Sequence, residues 1–195
     1  MSTTAPPRSV TPEDLLQMGD DGKGFELVKG ELREVNMNTE SDHIAGEIYF
    51  RLKLHCVSQQ PGWVLPEGTS FRCFPDDPDG VRRADVSYIT LSRMIPAAYR
   101  TYGHCCVAPD LVAEVISPRD NAKEVADKIQ DWLGAGVRVV WEVYPANQTV
   151  RAHRPDGTIL LFRSKDTLTA EDVLPGFACP VADLFRLPGE PLPAS

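Results

Sequence analysis

Residues 109–145, PDLVAEVISPRDNAKEVADKIQDWLGAGVRVVWEVYP, decide the fold. The segment opens with Leu111-Val-Ala-Glu-Val-Ile116, a short apolar run that Ser117-Pro118 closes. Its length, its β-branched residues and the flanking Pro describe a strand buried on both faces. Glu114 sits in the middle, where an ionised carboxylate costs several kcal/mol to bury without a partner. Beyond Pro118 the period becomes helical: Ala122, Val125, Ala126, Ile129, Trp132 and Leu133 recur among charged residues. Asp120 or Asn121 is placed to cap this helix, and Gly134 or Gly136 to end it. Val137-Arg-Val-Val-Trp-Glu-Val143 then returns to strand character. Strand, helix and strand in so short a span predict a βαβ unit with a right-handed crossover.

Working outward, Thr11-Pro12-Glu13-Asp14 starts a short helix that Gly19 ends. Phe25–Val28 and Glu31–Val35 form a hairpin around Gly30. Ser41 caps a second helix carrying His43, Ile44, Glu47, Ile48, Arg51, Leu52 and Leu54, with His43 and Glu47 on one face. Residues 63–65, 69–73 and 82–89 read as strands, the last with Asp85 near its start, and residues 75–80 as a loop. A short helix is expected around residues 93–99. Residues 148–153 and 158–162 form a hairpin turning on Pro155-Asp156-Gly157, and a strand-like segment and a helical turn close the chain near Phe185. Trp132 and Trp141 are expected in the core. The expected organisation is a flexible tail over 1–10, one domain over 11–187 and a C-terminal tail over 188–195.

Charged residues make up 25% and hydrophobic ones 42% of 195 residues, an ordinary globular balance. No run is long and apolar enough to span a bilayer, and the start lacks the plan of a signal peptide. Five cysteines without a repeated spacing argue against a disulfide framework. A cytoplasmic protein with no membrane partner is expected. The net charge of −8 disfavours holding nucleic acid by charge alone, although acids can gather at a metal site while a local basic patch docks the substrate. Arg72, Arg82, Arg83, Arg93 and Arg100 give the middle of the chain such a bias; taken singly, each is a solvated side chain.

Asp85 and Glu114 are carboxylates on strands expected to be central. Mg²⁺ takes oxygen ligands, commonly one or two carboxylates with waters and substrate phosphates. Lys128, on the following helix, could neutralise charge developing on a phosphoryl oxygen. Each residue has a plainer alternative. Asp85 could pair with Arg82 or Arg83, Glu114 with a buried Arg or Lys, and Lys128 with Glu124 one turn away. His43 could simply cap or pack a helix start. His104-Cys105-Cys106 lacks a second ligand pair at zinc spacing and reads as loop or packing.

FELVKGELREV, the helix containing His43, RADVSYI, PDLVAEVISP, the Lys128 position before WLGAGVRVVWEVYP, and VLPGFACPVADLF occur in this order from about Thr11 to Phe185. In this the chain resembles the Uma2-like (DUF820) family of the PD-(D/E)XK nuclease superfamily. The resemblance implies a mixed α/β (α+β) restriction endonuclease-like core: a central mixed β-sheet flanked by helices, with an N-terminal hairpin. It implies a Mg²⁺-dependent (or Mn²⁺-dependent) endonuclease acting on DNA, with Asp85, Glu114 and the Val115 carbonyl at the metal and Lys128 as the transition-state cation. Glu26 and His43 match recurrent family positions close to the site. The usual superfamily Lys two residues after the Glu is replaced here by Ile116, and Lys128 is the matching residue on the helix. Ala84 stands where the family usually has Pro, and Tyr144-Pro145 where it usually has Asp-Pro. A homodimer would supply two sites for two strands. The competing expectation is a catalytically silent nuclease-fold binding or assembly module, linked to mobile-element machinery.

Overall fold

The structure, a computed structural model, describes residues 9–35, 38–59, 62–94 and 103–190. Most of the expected N-terminal tail, residues 95–99 of the expected helix around 93–99, Arg100 and the last residues of the C-terminal tail lie outside the described residues.

Strand β7 (Leu111–Val115), helix α3 (Ala122–Gly134) and strand β8 (Val139–Tyr144) form the expected βαβ unit, with β7 and β8 parallel and Glu114 opposite Glu142. Asn121 caps α3, its side chain accepting the N–H groups of Lys123 and Glu124. Gly136, at φ 92, carries the chain out of the helix in the left-handed conformation that favours glycine. Around this unit grows a six-stranded mixed sheet in the order β10-β9-β8-β7-β6-β3. Its other members are β3 (Gly62–Pro66), β6 (Val86–Thr90), β9 (Thr149–His153) and β10 (Ile159–Arg163), each antiparallel to its neighbour.

Alternation along the central strands builds a core on each face. Val115, Ala113, Trp141 and Val143 face one side, against Ile44, Ile48, Leu52 and Cys56 of helix α2 (Thr39–Gln59) and the C-terminal residues Leu174, Phe177 and Leu184. Val112 and Val140 face the other side, against Ile129 and Trp132 of α3 and against Phe71 and Phe74. Burying each such Leu or Ile is worth roughly 1.5–3 kcal/mol. The even-numbered residues of β7 share the α3 face, so Glu114 is aimed at that helix.

The N-terminal hairpin pairs β1 (Phe25–Val28) with β2 (Glu31–Glu34). Lys29 and Gly30 turn it with φ of 51° and 81°, the pair of positive values a tight two-residue hairpin requires. Helix α1 (Pro12–Gln17) starts with a capping box between Thr11 and Asp14. All five cysteines are free, and no described helix is long and apolar enough to cross a membrane.

Several boundaries differ from those read in the sequence. Asn38, not Ser41, caps α2: its Oδ1 accepts the N–H groups of Glu40 and Ser41 at 3.1 and 3.0 Å. Leu54 lies on the solvent side of that helix, 59% exposed, because the buried stripe runs at four-residue steps from Ile44 to Cys56. The 69–73 strand shortens to β4 (Ser70–Phe71), which pairs with β5 (Arg82–Arg83) in a separate ribbon. The run 82–89 is therefore two strands with a bend at Asp85, whose carboxylate takes up the Val115 N–H at the end of β7. Strand β11 (Thr167–Thr169) has no counterpart in the sequence reading; it pairs with β12 (Ala178–Pro180), which with helix α4 (Val181–Leu184) corresponds to the strand-like segment and helical turn expected near Phe185.

Candidate active site

The helical face of α3 that meets the sheet carries Lys128, Asp131 and Trp132, at i, i+3 and i+4. Glu114 rises from β7 to meet two of them: the Trp132 Nε1–H donates to its Oε1 at 2.7 Å, and Lys128 Nζ lies 2.9 Å from its Oε2. The same ammonium lies 2.9 Å from Oε1 of Glu26 on β1. Glu26 is held in turn by Arg82 Nη1 at 3.0 Å and by the Arg83 backbone N–H at 2.8 Å. Arg82 closes the circuit on α3 through Asp131, its Nε donating at 3.1 Å and its Nη2 binding the same oxygen. Asp85 joins from the bend before β6, its Oδ2 accepting the Val115 N–H at 2.6 Å.

Glu26, Asp85, Glu114, Val115 and Lys128, five positions expected at the site, line one cavity of about 170 Å³. The sixth, His43, does not: its Nε2 donates to the Arg186 carbonyl at 3.1 Å, tying α2 to the C-terminal end of the chain. Glu47 on the same face faces Arg51, which reaches Asp183, so this flank of α2 packs as an ordinary helix surface.

The plainer alternatives resolve differently. Lys128 turns inward to Glu26 and Glu114, while Glu124 faces Arg33 at 3.6 Å, so the expected surface pair does not form. Arg82 and Arg83 are buried rather than solvated and bind Glu26, Asp131 and backbone carbonyls, so neither neutralises Asp85. Arg72 bridges Glu13 and Asp79, and Arg93 reaches Asp110. Glu114 does have a cationic partner in the half-buried Lys128, so its structural role and its expected functional one coincide. His104 is used up by Ser70 and the Pro12 carbonyl.

The cluster carries an excess of buried negative charge. Burial pushes the Glu114 carboxyl up to about 8 against the pull of Lys128, with Asp85 and Glu26 adding to the rise. Burial likewise holds Asp85 up to about 6, with Lys128 and the Val115 N–H opposing it. At Glu26 burial is outweighed by Lys128 and Arg82, and that carboxyl lies below its ordinary value. For Lys128, burial favours the neutral amine, but Glu114, Glu26 and Asp85 together hold it firmly as the ammonium.

Among the described residues no three His, Cys, Asp and Glu side chains converge as a protein-only metal cage would require. Two carboxylates on one cavity, deprived of full charge compensation, are instead the donor set suited to a hard divalent ion that keeps most of its waters. Asp85 and Glu114 fit that role, with the Val115 backbone beside them.

Sequence reading missed Arg82 and Trp132 as parts of this circuit. The four-residue step from Lys128 to Trp132 was the available signal, but an indole on an apolar helix face reads first as core, and Trp132 is that too, fully buried.

The sequence model of the Uma2 family, described as "Putative restriction endonuclease", matches residues 12–182. No curated protein matches the chain. A solved structure of a "putative nuclease belonging to DUF820" from Anabaena variabilis superposes with a TM-score of 0.74 at 22% identity, covering 90% of this chain and 97% of that one. At that identity the likeness shows a shared fold. The family match, which spans most of the chain, shows more: this protein belongs to the Uma2 (DUF820) family.

Proposed function

We propose that the protein is a metal-dependent nuclease hydrolysing phosphodiester bonds in DNA. The observation that carries this reading is the convergence of Asp85, Glu114 and Lys128, from three separate elements, on one cavity. Asp85 and Glu114, with the Val115 carbonyl as a third contact, would hold Mg²⁺ or Mn²⁺. That ion supplies Lewis-acid charge at the scissile phosphate and lowers the pKa of the attacking water.

The chain's own part is electrostatic and geometric. An ammonium has three donors. Glu26 and Glu114 occupy two at Lys128, leaving a third for an equatorial phosphoryl oxygen as its charge grows in the transition state. Glu26 and Arg82 keep that ammonium in place, so little reorganisation is needed when substrate arrives. Cutting both strands of a duplex takes two such sites, which a homodimer would supply.

Nicking of supercoiled plasmid tests the reading, with Mg²⁺ or Mn²⁺ and with Asp85→Ala and Lys128→Ala beside the wild type. Metal-dependent nicking by the wild type, lost in both variants, is expected. Equal nicking by all three would refute the site. DNA binding by the wild type without any nicking would leave a nuclease fold working as a binding module.

A further inference from the structure

We infer that Trp132 is a positioning residue for Glu114, and that Lys128 and Trp132 form a clasp on one helix that sets the carboxylate for a divalent cation; the inference rests on the nuclease reading above. The two side chains leave α3 on the same face and take one oxygen each of a single carboxylate, at 2.9 and 2.7 Å. Their contributions differ in kind. Lys128 supplies charge and is shared with Glu26. Trp132 supplies direction: its ring is fully buried, edge-on to Phe71 at 5.6 Å and tilted against Phe74 at 5.1 Å. A ring so packed cannot follow a moving carboxylate, so the N–H marks a fixed point to which Oε1 must come.

Each carboxylate oxygen has two lone pairs, and the clasp uses one on each. The others remain for a cation, in an orientation the indole sets. Partners of this kind behind a metal ligand are commonly worth 10- to 100-fold in metal affinity. Trp141 provides an internal control. It is equally buried, on the opposite face of the sheet, and its Nε1 has no hydrogen-bond partner among the described residues.

The test is a titration of the metal-free protein with Mn²⁺ and Mg²⁺ by calorimetry, for wild type, Trp132→Phe and Trp141→Phe. Trp132→Phe is expected to bind roughly 10- to 100-fold more weakly while keeping its fold, and Trp141→Phe to bind as the wild type does. Equal affinity in Trp132→Phe and wild type would overturn the inference while leaving the nuclease reading intact. In wild-type protein labelled with ¹⁵N-tryptophan, the Trp132 indole resonance should move on cation binding and that of Trp141 should not. A Trp132 resonance unmoved at saturating Mg²⁺ overturns the inference even if Trp132→Phe fails to fold. A wild type that binds neither ion removes the metal site itself, and this inference with it.

Discussion

Lys128, its side chain 18% exposed, is a cation shared by two buried carboxylates, and removing it exposes what the cluster costs. In Lys128→Met, Glu26 keeps Arg82 but Glu114 retains only the Trp132 N–H. Above about pH 8, where Glu114 carries its charge, an uncompensated buried charge of this kind typically destabilises by about 3–5 kcal/mol. Denaturant titration should show a loss of that order, alongside a fall in nicking of at least ~10²-fold. Loss of nicking at undiminished stability would mean the buried pairing contributes less than its geometry suggests. The raised carboxyls make a second prediction at this scale. Asp85 and Glu114 hold protons in the folded protein, up to about 6 and about 8, that the unfolded chain has already released. Where the native state binds more protons, stability falls as pH rises. The contribution is complete below about pH 4 and is lost as pH climbs through the folded values. The metal-free melting temperature should therefore drop between about pH 4.5 and 8, and drop less in Glu114→Gln. Mg²⁺ should raise it more at the alkaline end, where no proton competes for the carboxylates. A stabilisation by Mg²⁺ that is larger at acid pH would contradict both the site and the charge balance.

Elements carry these residues to one another, and their legibility depended on how local their causes are. The βαβ unit and the N-terminal hairpin could be read directly, because helical period, β-branched runs and a Lys29-Gly30 turn are properties of adjacent residues. The bend that splits β5 from β6 could not, since its cause is Asp85 binding the Val115 N–H thirty residues away. The same holds for the site. Asp85 and Glu114 were picked out because a carboxylate on an apolar strand is visible in sequence, Lys128 and Glu26 through the family resemblance. Arg82 and Trp132 were not, because the first read as a surface cation and the second as plain core. His43 lies off the cavity, against the Arg186 carbonyl, for the complementary reason: a polar residue near a helix start gives no sign of which loop it will meet. Gly62 tests the sheet itself. A Cβ there would lie 2.1 Å from the Ile89 carbonyl oxygen and 2.8 Å from the Thr90 Cα, both backbone atoms. Gly62→Ala must part β3 from β6 and should cost at least about 1–3 kcal/mol in denaturation. Gly62 pairs with Thr90, at the end of β6 far from Asp85, so cation affinity of the folded fraction should hold. A parallel loss of affinity would show that the edge strand braces the site.

At the scale of the whole molecule, the proposed function requires a chain of net charge −8 to meet a polyanion. Its innermost cations cannot do this alone, since Lys128 and Arg82 are each bound to two carboxylates. Acids also lie along the cavity wall at Glu34, Asp120 and Glu124. The lining cations nearest to solvent are Arg33 on the hairpin, with a side chain 35% exposed and a long 3.6 Å contact to Glu124, and Arg119 on the exposed loop before α3. Because they come from different elements bordering the cavity, a phosphate strand entering it can be met by both. Phosphate contacts raise affinity without reading sequence, and each adds about one unit to the salt dependence of binding. Arg33→Ala combined with Arg119→Ala should weaken binding of a short duplex about equally across sequences and flatten its dependence on log salt concentration by about two units. Fluorescence anisotropy with Ca²⁺ replacing the catalytic ion measures both quantities. Single-turnover cleavage at saturating DNA should remain near the wild-type rate, since neither arginine belongs to the Asp85, Glu114 and Lys128 set. An unchanged salt slope would mean the duplex reaches the cavity along another surface. A fall in the saturated rate would instead place one of the arginines on the scissile phosphate itself.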